Sequence, residues 1–435
     1  VLAQAPDAAS TAAATKLARA AAWSELGANE ALVWGRCQGS GRTPYQVTVD
    51  LTGPAFRCTC PSRKFPCKHG LALLLLWSDG GGSVADAASA PGFADEWAES
   101  RVERAARVAD KAATKTPVDP EAAAKRLAQR IERTTDGLTD LERWLGDLVR
   151  GGLGAARSQP NSWWDEAAAR LVDAQVPGLA GRIREWPAVL VSGDDWTDRI
   201  AGEIGRAWLT ARAWPRRDAL DDARTADLRT ALGWPTKVED VVAAGTARTG
   251  RWQVLGVSHD ERGALASQRT WLRAVDDDGH PEEAAGFVLD FAVAGAALPI
   301  PLATGTVVRA TATPYPGSSP TRLHLGEERA PAGRARFLPE ATTVDGALGE
   351  VATSLATDPW ATVHGVSLAS VRIVVTGGDV WALDVDGDAL PIDPSLDPAA
   401  PLAVTGGAAC SLFGEWNGRY LRPLTLVVDG EVVVW

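Results

Sequence analysis

The chemistry of this sequence is concentrated between Cys58 and His69. Cys58, Cys60, Cys67 and His69 form a Cys-x-Cys-x6-Cys-x-His pattern. Thiolate sulfur and imidazole nitrogen are the donors that zinc prefers, and four of them complete a tetrahedron. With Zn–S bonds of ~2.3 Å, neighbouring sulfurs must lie roughly 3.8 Å apart. Residues two apart on a bent extended segment can turn to one side, so Cys58 and Cys60 can serve one ion. Positions i and i+2 stand about 200° apart around a helix axis, which keeps Cys67 and His69 from both projecting from inside one. The spacing therefore predicts Cys67 just ahead of a helix, after Pro66, with His69 in its first turn. Pro61 and Pro66 stiffen the connecting loop and reduce the entropy lost on closing the site. Three thiolates, a neutral imidazole and Zn2+ carry a net charge of about −1. Such a charge suits a helix N-terminus, and Arg57, Arg63, Lys64 and Lys68 surround it in sequence. With every coordination position filled by protein, the expected ion is one structural zinc with no open position for water.

These ligands need a strand before them and a helix after them, and the flanking residues fit both. Tyr45, Val47, Val49 and Leu51 alternate with Gln46, Thr48 and Asp50, the period of a half-buried strand. His69 to Trp77 is a short run apolar all round, as expected of a buried helix. Upstream, residues 12–35 are Ala-rich and predict a helix, with Gly35, Gly39 and Gly41 as punctuation. Residues 79–92 have the composition of a linker.

From about 93 to 235 the pattern is helical. In Pro120–Gly151, Leu127, Ile131, Thr134, Leu138, Leu141, Leu145 and Leu148 recur in steps of three and four, one apolar stripe weakened by Gly137. Trp164–Val176 and Trp196–Trp214 predict further helices, stopped by Pro177 and Pro215. After Pro235 the texture becomes strand-like, over Phe287–Val293, Val307–Thr313, Val371–Val375, Val380–Val385 and Leu424–Val428, with one helix at Thr343–Thr357. The expected fold class is multidomain α+β: a small ββα-like zinc module, a helical middle region and a β-rich α+β C-terminal half. Its expected domains are 1–90 (zinc domain with an N-terminal helix), 93–235 (helical), 236–332 (β-rich) and 333–435 (α+β).

The ligand spacing between a strand and an apolar helix resembles the SWIM zinc finger. Trp34-Gly-Arg-Cys-Gln-Gly-Ser-Gly-Arg-Thr-Pro-Tyr45 and Cys60-Pro-Ser-Arg-Lys-Phe-Pro-Cys67-Lys-His69 strengthen the likeness to bacterial SWIM zinc finger family proteins. Leu171-Val-Asp-Ala-Gln175, Gln268-Arg-Thr-Trp-Leu272 and Phe413-Gly-Glu-Trp416 extend it along most of the chain. The resemblance implies zinc on Cys58, Cys60, Cys67 and His69, a DNA- or protein-interaction role, and no enzymatic activity. It also implies partners among MoxR-type ATPases and von Willebrand A-like proteins, whose genes often neighbour those of bacterial members.

Bulk properties narrow the function classes. The formal net charge of −11 excludes a chain that coats nucleic acid along its whole surface. Residues 30–69 nevertheless hold six basic side chains against two acidic ones, a balance of +4. A basic zinc module with Arg57, Arg63, Lys64 and Lys68 as contacts fits phosphate docking, whereas the acidic remainder with 18 Trp in the chain fits protein interaction. Protein interaction is the expected role of the whole, with nucleic-acid binding the alternative. Five cysteines, three of them in one cluster, suit a reducing compartment, and a cytoplasmic location is expected. The Ala-rich start lacks a basic head before an apolar core and is not expected to act as a secretion signal. Cys410 and His364 have no local support as nucleophile and base, and Cys37 reads as structural. Asp384-Val-Asp-Gly-Asp388 has its Gly too early for a calcium loop and predicts a hairpin turn.

Overall fold

The computed structural model describes residues 8–39, 43–51, 55–62, 66–79, 84–113, 119–262, 265–293, 298–318, 321–335, 337–338 and 340–435. The chain groups into two compact units. One comprises Val1–Pro117, Ser258–Arg269 and Asp290–Ala303, and the other Val118–Val257, Thr270–Leu289 and Thr304–Trp435.

In the first unit the helix expected over 12–35 stops early. Helix α1 (Ala8–Leu17) gives way to strands β1 (Trp23–Ala28) and β2 (Leu32–Cys37), which pair antiparallel. Ala-rich composition favours helix only weakly, and two tertiary features override it here. The Asn29 side chain accepts the N–H groups of Ala31 (3.0 Å) and Leu32 (2.7 Å), closing the turn. Val33 and Cys37 then bury in the core beneath the sheet. Strands β3 (Tyr45–Asp50) and β4 (Ala55–Cys58) continue the sheet antiparallel, and helix α2 (Lys68–Ser78) follows. So β3, β4 and α2 form the ββα pattern inside a larger sheet. The stretch expected to be a linker contributes β5 (Ala85–Asp86), which pairs parallel to β1 and gives the order β4-β3-β2-β1-β5. On one side of α2, Leu73 and Leu74 meet Val33, Val47, Val49 and Phe56. On another, Leu71 and Ala72 pack on Ala14 of α1, which explains a helix apolar all round. Helix α3 (Gly92–Ala113) closes the unit by packing Ala94 against Leu32 and Trp34.

The second unit begins with helices α4 (Pro120–Gly151), α5 (Leu153–Arg157), α6 (Asn161–Asp173), α7 (Pro177–Leu190), α8 (Trp196–Ala213), α9 (Asp222–Leu232) and α10 (Val238–Ala244). Asp119 caps α4 by accepting the Glu121 N–H at 3.0 Å, with Pro120 in the first turn, where its missing donor costs nothing. The apolar stripe of α4 is buried from Thr134 to Leu148, while Leu127 at its start is 48% exposed. Thr134 belongs in that stripe because its hydroxyl donates to the Ala174 carbonyl at 3.1 Å. Gly137 is a notch for close packing, since a Cβ there would stand 2.2 Å from that of Ala174. Pro177 and Pro215 open the next elements, α7 and a 3-10 turn (Trp214–Ala219), in the position where proline is tolerated. Trp144, Trp163, Trp164 and Trp186 pack on one another with centroids 4.8–6.2 Å apart, so these tryptophans serve the core.

Strands β6 (Arg248–Arg262), β7 (Leu265–Val275), β8 (Pro281–Val293), β9 (Thr306–Pro314) and β10 (Leu323–Arg334) form a sheet ordered β10-β9-β6-β7-β8. The last part comprises α11 (Val344–Thr357), β11 (His364–Thr376), β12 (Asp379–Leu383), β13 (Ala389–Pro391), α12 (Ala399–Thr405), β14 (Cys410–Trp416), β15 (Leu421–Val428) and β16 (Glu431–Val434). Its sheet is ordered β13-β12-β11-β14-β15-β16, and α11 packs Val344, Ala347 and Val351 into the same core. The protein is thus mixed α+β, with a small N-terminal zinc module, a helical region and a β-rich C-terminal half. Among the described residues no helix is long and apolar enough to cross a membrane.

Two outcomes follow from this packing. Trp164 is 1% exposed at the centre of the aromatic cluster, so Trp164→Ala should cost roughly 3–5 kcal/mol, read as a lower urea midpoint. A midpoint unchanged from the parent would contradict that packing. Asp358, following α11, is pushed up to about 6 by burial and by the Asp227 carboxylate. A carboxyl raised in the fold contributes stability below its ordinary value of 3.8 and loses it as pH rises through about 6. After allowance for partial exposure, Asp358→Asn should stabilise by on the order of 1 kcal/mol at neutral pH. The gain should vanish near pH 4, and a gain independent of pH would contradict this account.

Candidate metal centre

The ligands come from the end of one strand and the start of one helix. Cys58 is the last residue of β4, opposite Val47 of β3. Thr59 extends the ladder, its N–H donating to the Gln46 carbonyl (3.1 Å) and its hydroxyl accepting the Gln46 N–H (3.0 Å). This double bond to β3 holds the chain between the first two cysteines. Cys67 is the N-cap of α2 in extended conformation, its carbonyl accepting the Leu71 N–H at 3.1 Å. His69 is the second residue of that helix. Gly70 lets the helix start close to β4, for a Cβ there would stand 2.9 Å from the Phe56 ring.

These elements bring the four ligand atoms of Cys58, Cys60, Cys67 and His69 within 4.8 Å of one another. His69 Nδ1 lies 3.7 Å from Cys58 Sγ and 4.0 Å from Cys67 Sγ. A tetrahedral zinc with Zn–S of ~2.3 Å and Zn–N of ~2.0–2.1 Å requires an S···N edge of about 3.6 Å, so the donor set fits the ion. Nδ1 is the imidazole atom that faces the sulfurs, and the Tyr45 ring packs on His69 with centroids 5.0 Å apart. Cys67 and His69 are buried, while Cys58 and Cys60 are half-buried.

The sulfurs are electrostatically unequal. The Cys67 thiol is pulled well below its ordinary range, first by a hydrogen bond from Cys58, then by His69 and by the Gly70 and His69 backbone N–H groups. That same shared proton, together with burial, pushes Cys58 up, and burial raises Cys60. Negative charge is thus favoured most at Cys67, at the helix N-terminus, and a bound divalent cation would favour it at all three sulfurs. An anionic centre there also makes sense of Lys68, a cation in a first turn where the helix dipole would otherwise oppose it.

Among the cations expected to surround the site, Arg57 and Lys68 are exposed, and Arg63 and Lys64 lie outside the described residues. Arg36 is paired with Glu25 at 2.8 Å and stacks over Phe93. Cys37 is fully buried in β2, with its thiol raised by burial, and stands outside the four-ligand set. Sequence spacing carried no sign of Thr59, Gly70 or Tyr45, whose parts depend on pairing and packing.

Elsewhere, Asp276, Asp278 and His280 also cluster. The Asp276 carboxylate accepts the N–H groups of Asp278 (3.0 Å) and His280 (2.8 Å), the pattern of a self-capped turn. Asp384 likewise accepts the Asp386 and Asp388 N–H groups and reaches the Val344 N–H at the start of α11. The thiol of Cys410 is pushed up to about 11 by burial. Cys410 pairs with Val371 and His364 with Trp416 along the same two strands, a separation of roughly 20 Å at the rise of a β-strand. They form no nucleophile–base pair.

Protein purified without added metal is expected to carry zinc. Cys67→Ser should lose it together with order in residues 30–90, while Cys37→Ser should keep it. Zinc analysis with far-UV circular dichroism checks both variants. Zinc retained by Cys67→Ser, or lost by Cys37→Ser, would contradict this ligand set.

Residues 45–77 match the family model of the SWIM zinc finger, and residues 129–232 match that of the SWIM-associated four-helix bundle domain. The first match contains all four ligands, and the second runs from within α4 to the end of α9. Comparison with curated proteins finds no match, and neither does comparison with solved structures. The chain therefore contains a SWIM zinc finger and a SWIM-associated four-helix bundle domain.

Proposed function

We propose that the chain is a non-catalytic protein-interaction scaffold, with one structural zinc per chain holding the N-terminal module together. Four protein donors fill a tetrahedron and leave no position for substrate or water. The ion's contribution is then to tie β4 to α2.

The observation that carries the interaction reading is a groove of about 590 Å³ in the helical bundle, running along α4 and α6. Trp144, Leu141 and Leu171 give it an apolar base. Arg133, Arg143 and Arg170 alternate around it with Asp136, Asp140, Asp147 and Asp173. Both signs of charge beside an aromatic suit a protein surface. A phosphate backbone would instead favour one sign. By family resemblance, MoxR-type ATPases and von Willebrand A-like proteins are the partners to try first. Nucleic-acid binding remains the second reading, supported by the exposed Arg57 and Lys68 beside the zinc site.

A binding assay against both partner types, run beside a duplex-DNA gel shift at several salt concentrations, separates the readings. The parent should bind a protein partner, and Arg170→Glu should weaken that binding at least tenfold, about 1.4 kcal/mol. Salt-sensitive duplex binding that Lys68→Glu abolishes, with no protein association, would overturn the proposal in favour of nucleic acid.

A further inference from the structure

A second cavity, of about 200 Å³, lies in the C-terminal half, remote in sequence from the zinc ligands. Trp271 of β7 and Phe413 of β14 line it, with ring centroids 6.0 Å apart. Trp271 is fixed by its indole N–H, which donates to the buried Glu415 carboxylate at 2.8 Å. His364, the first residue of β11, also lines the cavity and is only 6% exposed. Its ring nitrogens make no hydrogen bond among the described residues. Neither nitrogen is sealed from solvent, and a neutral imidazole carries both a donor and an acceptor. An imidazole with neither in use, facing a cavity, is placed to bind something there.

The charges around the cavity say what kind of ligand it takes. Arg273 of β7 is paired with Glu340, which leaves Glu350 of α11 without an ion pair among the described residues. One cation thus stands against two carboxylates, an unbalanced charge of −1. Glu350 is held above its ordinary range, first by desolvation and then by the Glu340 carboxylate, as befits an acid short of a counter-ion. Burial lowers the His364 pKa, so the ring is neutral near pH 7 and can accept a hydrogen bond. Aromatic walls add a face that attracts cations.

We propose that this cavity binds a small organic monocation, an alkylguanidinium or alkylammonium group. Its N–H donors pair with the Glu350 carboxylate and with His364, and its alkyl body lies on Trp271 and Phe413. Two sources share this chemistry: a free small amine or guanidine, and the side chain of an Arg or Lys on a partner protein. The volume admits either and is too small for a drug-sized ligand.

Isothermal titration of the full chain with n-butylguanidinium tests the proposal, beside n-butanol and propionate as neutral and anionic probes of similar size. Saturable binding of the cation is expected, at least tenfold tighter than either control. Glu350→Gln should weaken it at least tenfold while leaving the far-UV circular dichroism of the chain unchanged. His364→Gln, which still accepts a hydrogen bond, should keep more affinity than His364→Leu. Tighter binding of acetyl-Gly-Arg-Gly-amide than of butylguanidinium would assign the site to a partner's side chain, and the reverse to a free small molecule. No saturation by the cation up to about 20 mM, equal affinity in Glu350→Gln, or preference for propionate would overturn the proposal.

Discussion

Convergence of four donors on one point is the constraint around which the N-terminal module is built. Cys58 and Cys60 come from the end of a strand, and Cys67 and His69 from the first turn of a helix. Any shift of α2 against β4 would separate the two pairs. The approach is close enough that glycine follows His69 at the contact with Phe56. The pairing of Thr59 with Gln46 holds the other side. The apolar faces of α2 then bury against β2, β3 and β4 on one side and α1 on another. A metal bound by the four donors would crosslink the strand end to the helix start and offset part of the entropy of ordering the module.

The second unit is stabilised differently. Its helices surround a cluster of tryptophans, and several of the polar groups that enter the core arrive with partners, although the Trp186 indole N–H is buried without one. The Thr134 hydroxyl reaches Ala174, the Trp234 indole reaches the Gln175 carbonyl, and the Trp360 indole reaches Thr210. Such pairs satisfy groups that would otherwise be buried unbonded at a cost of roughly 1–3 kcal/mol each. Tertiary packing takes up most of the aromatic surface of the bundle, and Trp208 at its edge remains 42% exposed.

How much of this was legible in the sequence depended on how local each cause was. The i, i+2 geometry of Cys67 and His69 placed the helix start, and the three-and-four spacing of Leu138 to Leu148 marked the buried side of α4. Both are short-range regularities. The helix expected over 12–35 was lost because Ala content is a weak preference beside the Asn29 turn and sheet burial. Pro177 opens a helix where it was expected to end one, since proline suits both roles. Strand β6 escaped detection because Trp252 to Gly256 is buried on both faces and shows no alternation. The cavity around His364 was invisible for a further reason: its walls come from β6, β7, β8, α11, β11 and β14, and only folding brings them together.

X-ray absorption at the zinc K edge of the purified chain tests the central claim most directly. A closed structural site predicts a first shell of three sulfurs near ~2.3 Å and one imidazole nitrogen near ~2.0 Å, unchanged on adding small anions or chelating substrate analogues. A shell with fewer sulfurs and an exchangeable oxygen would mean an open coordination position. The zinc would then be available for chemistry, and the reading of this chain as a scaffold built on a structural metal would fail.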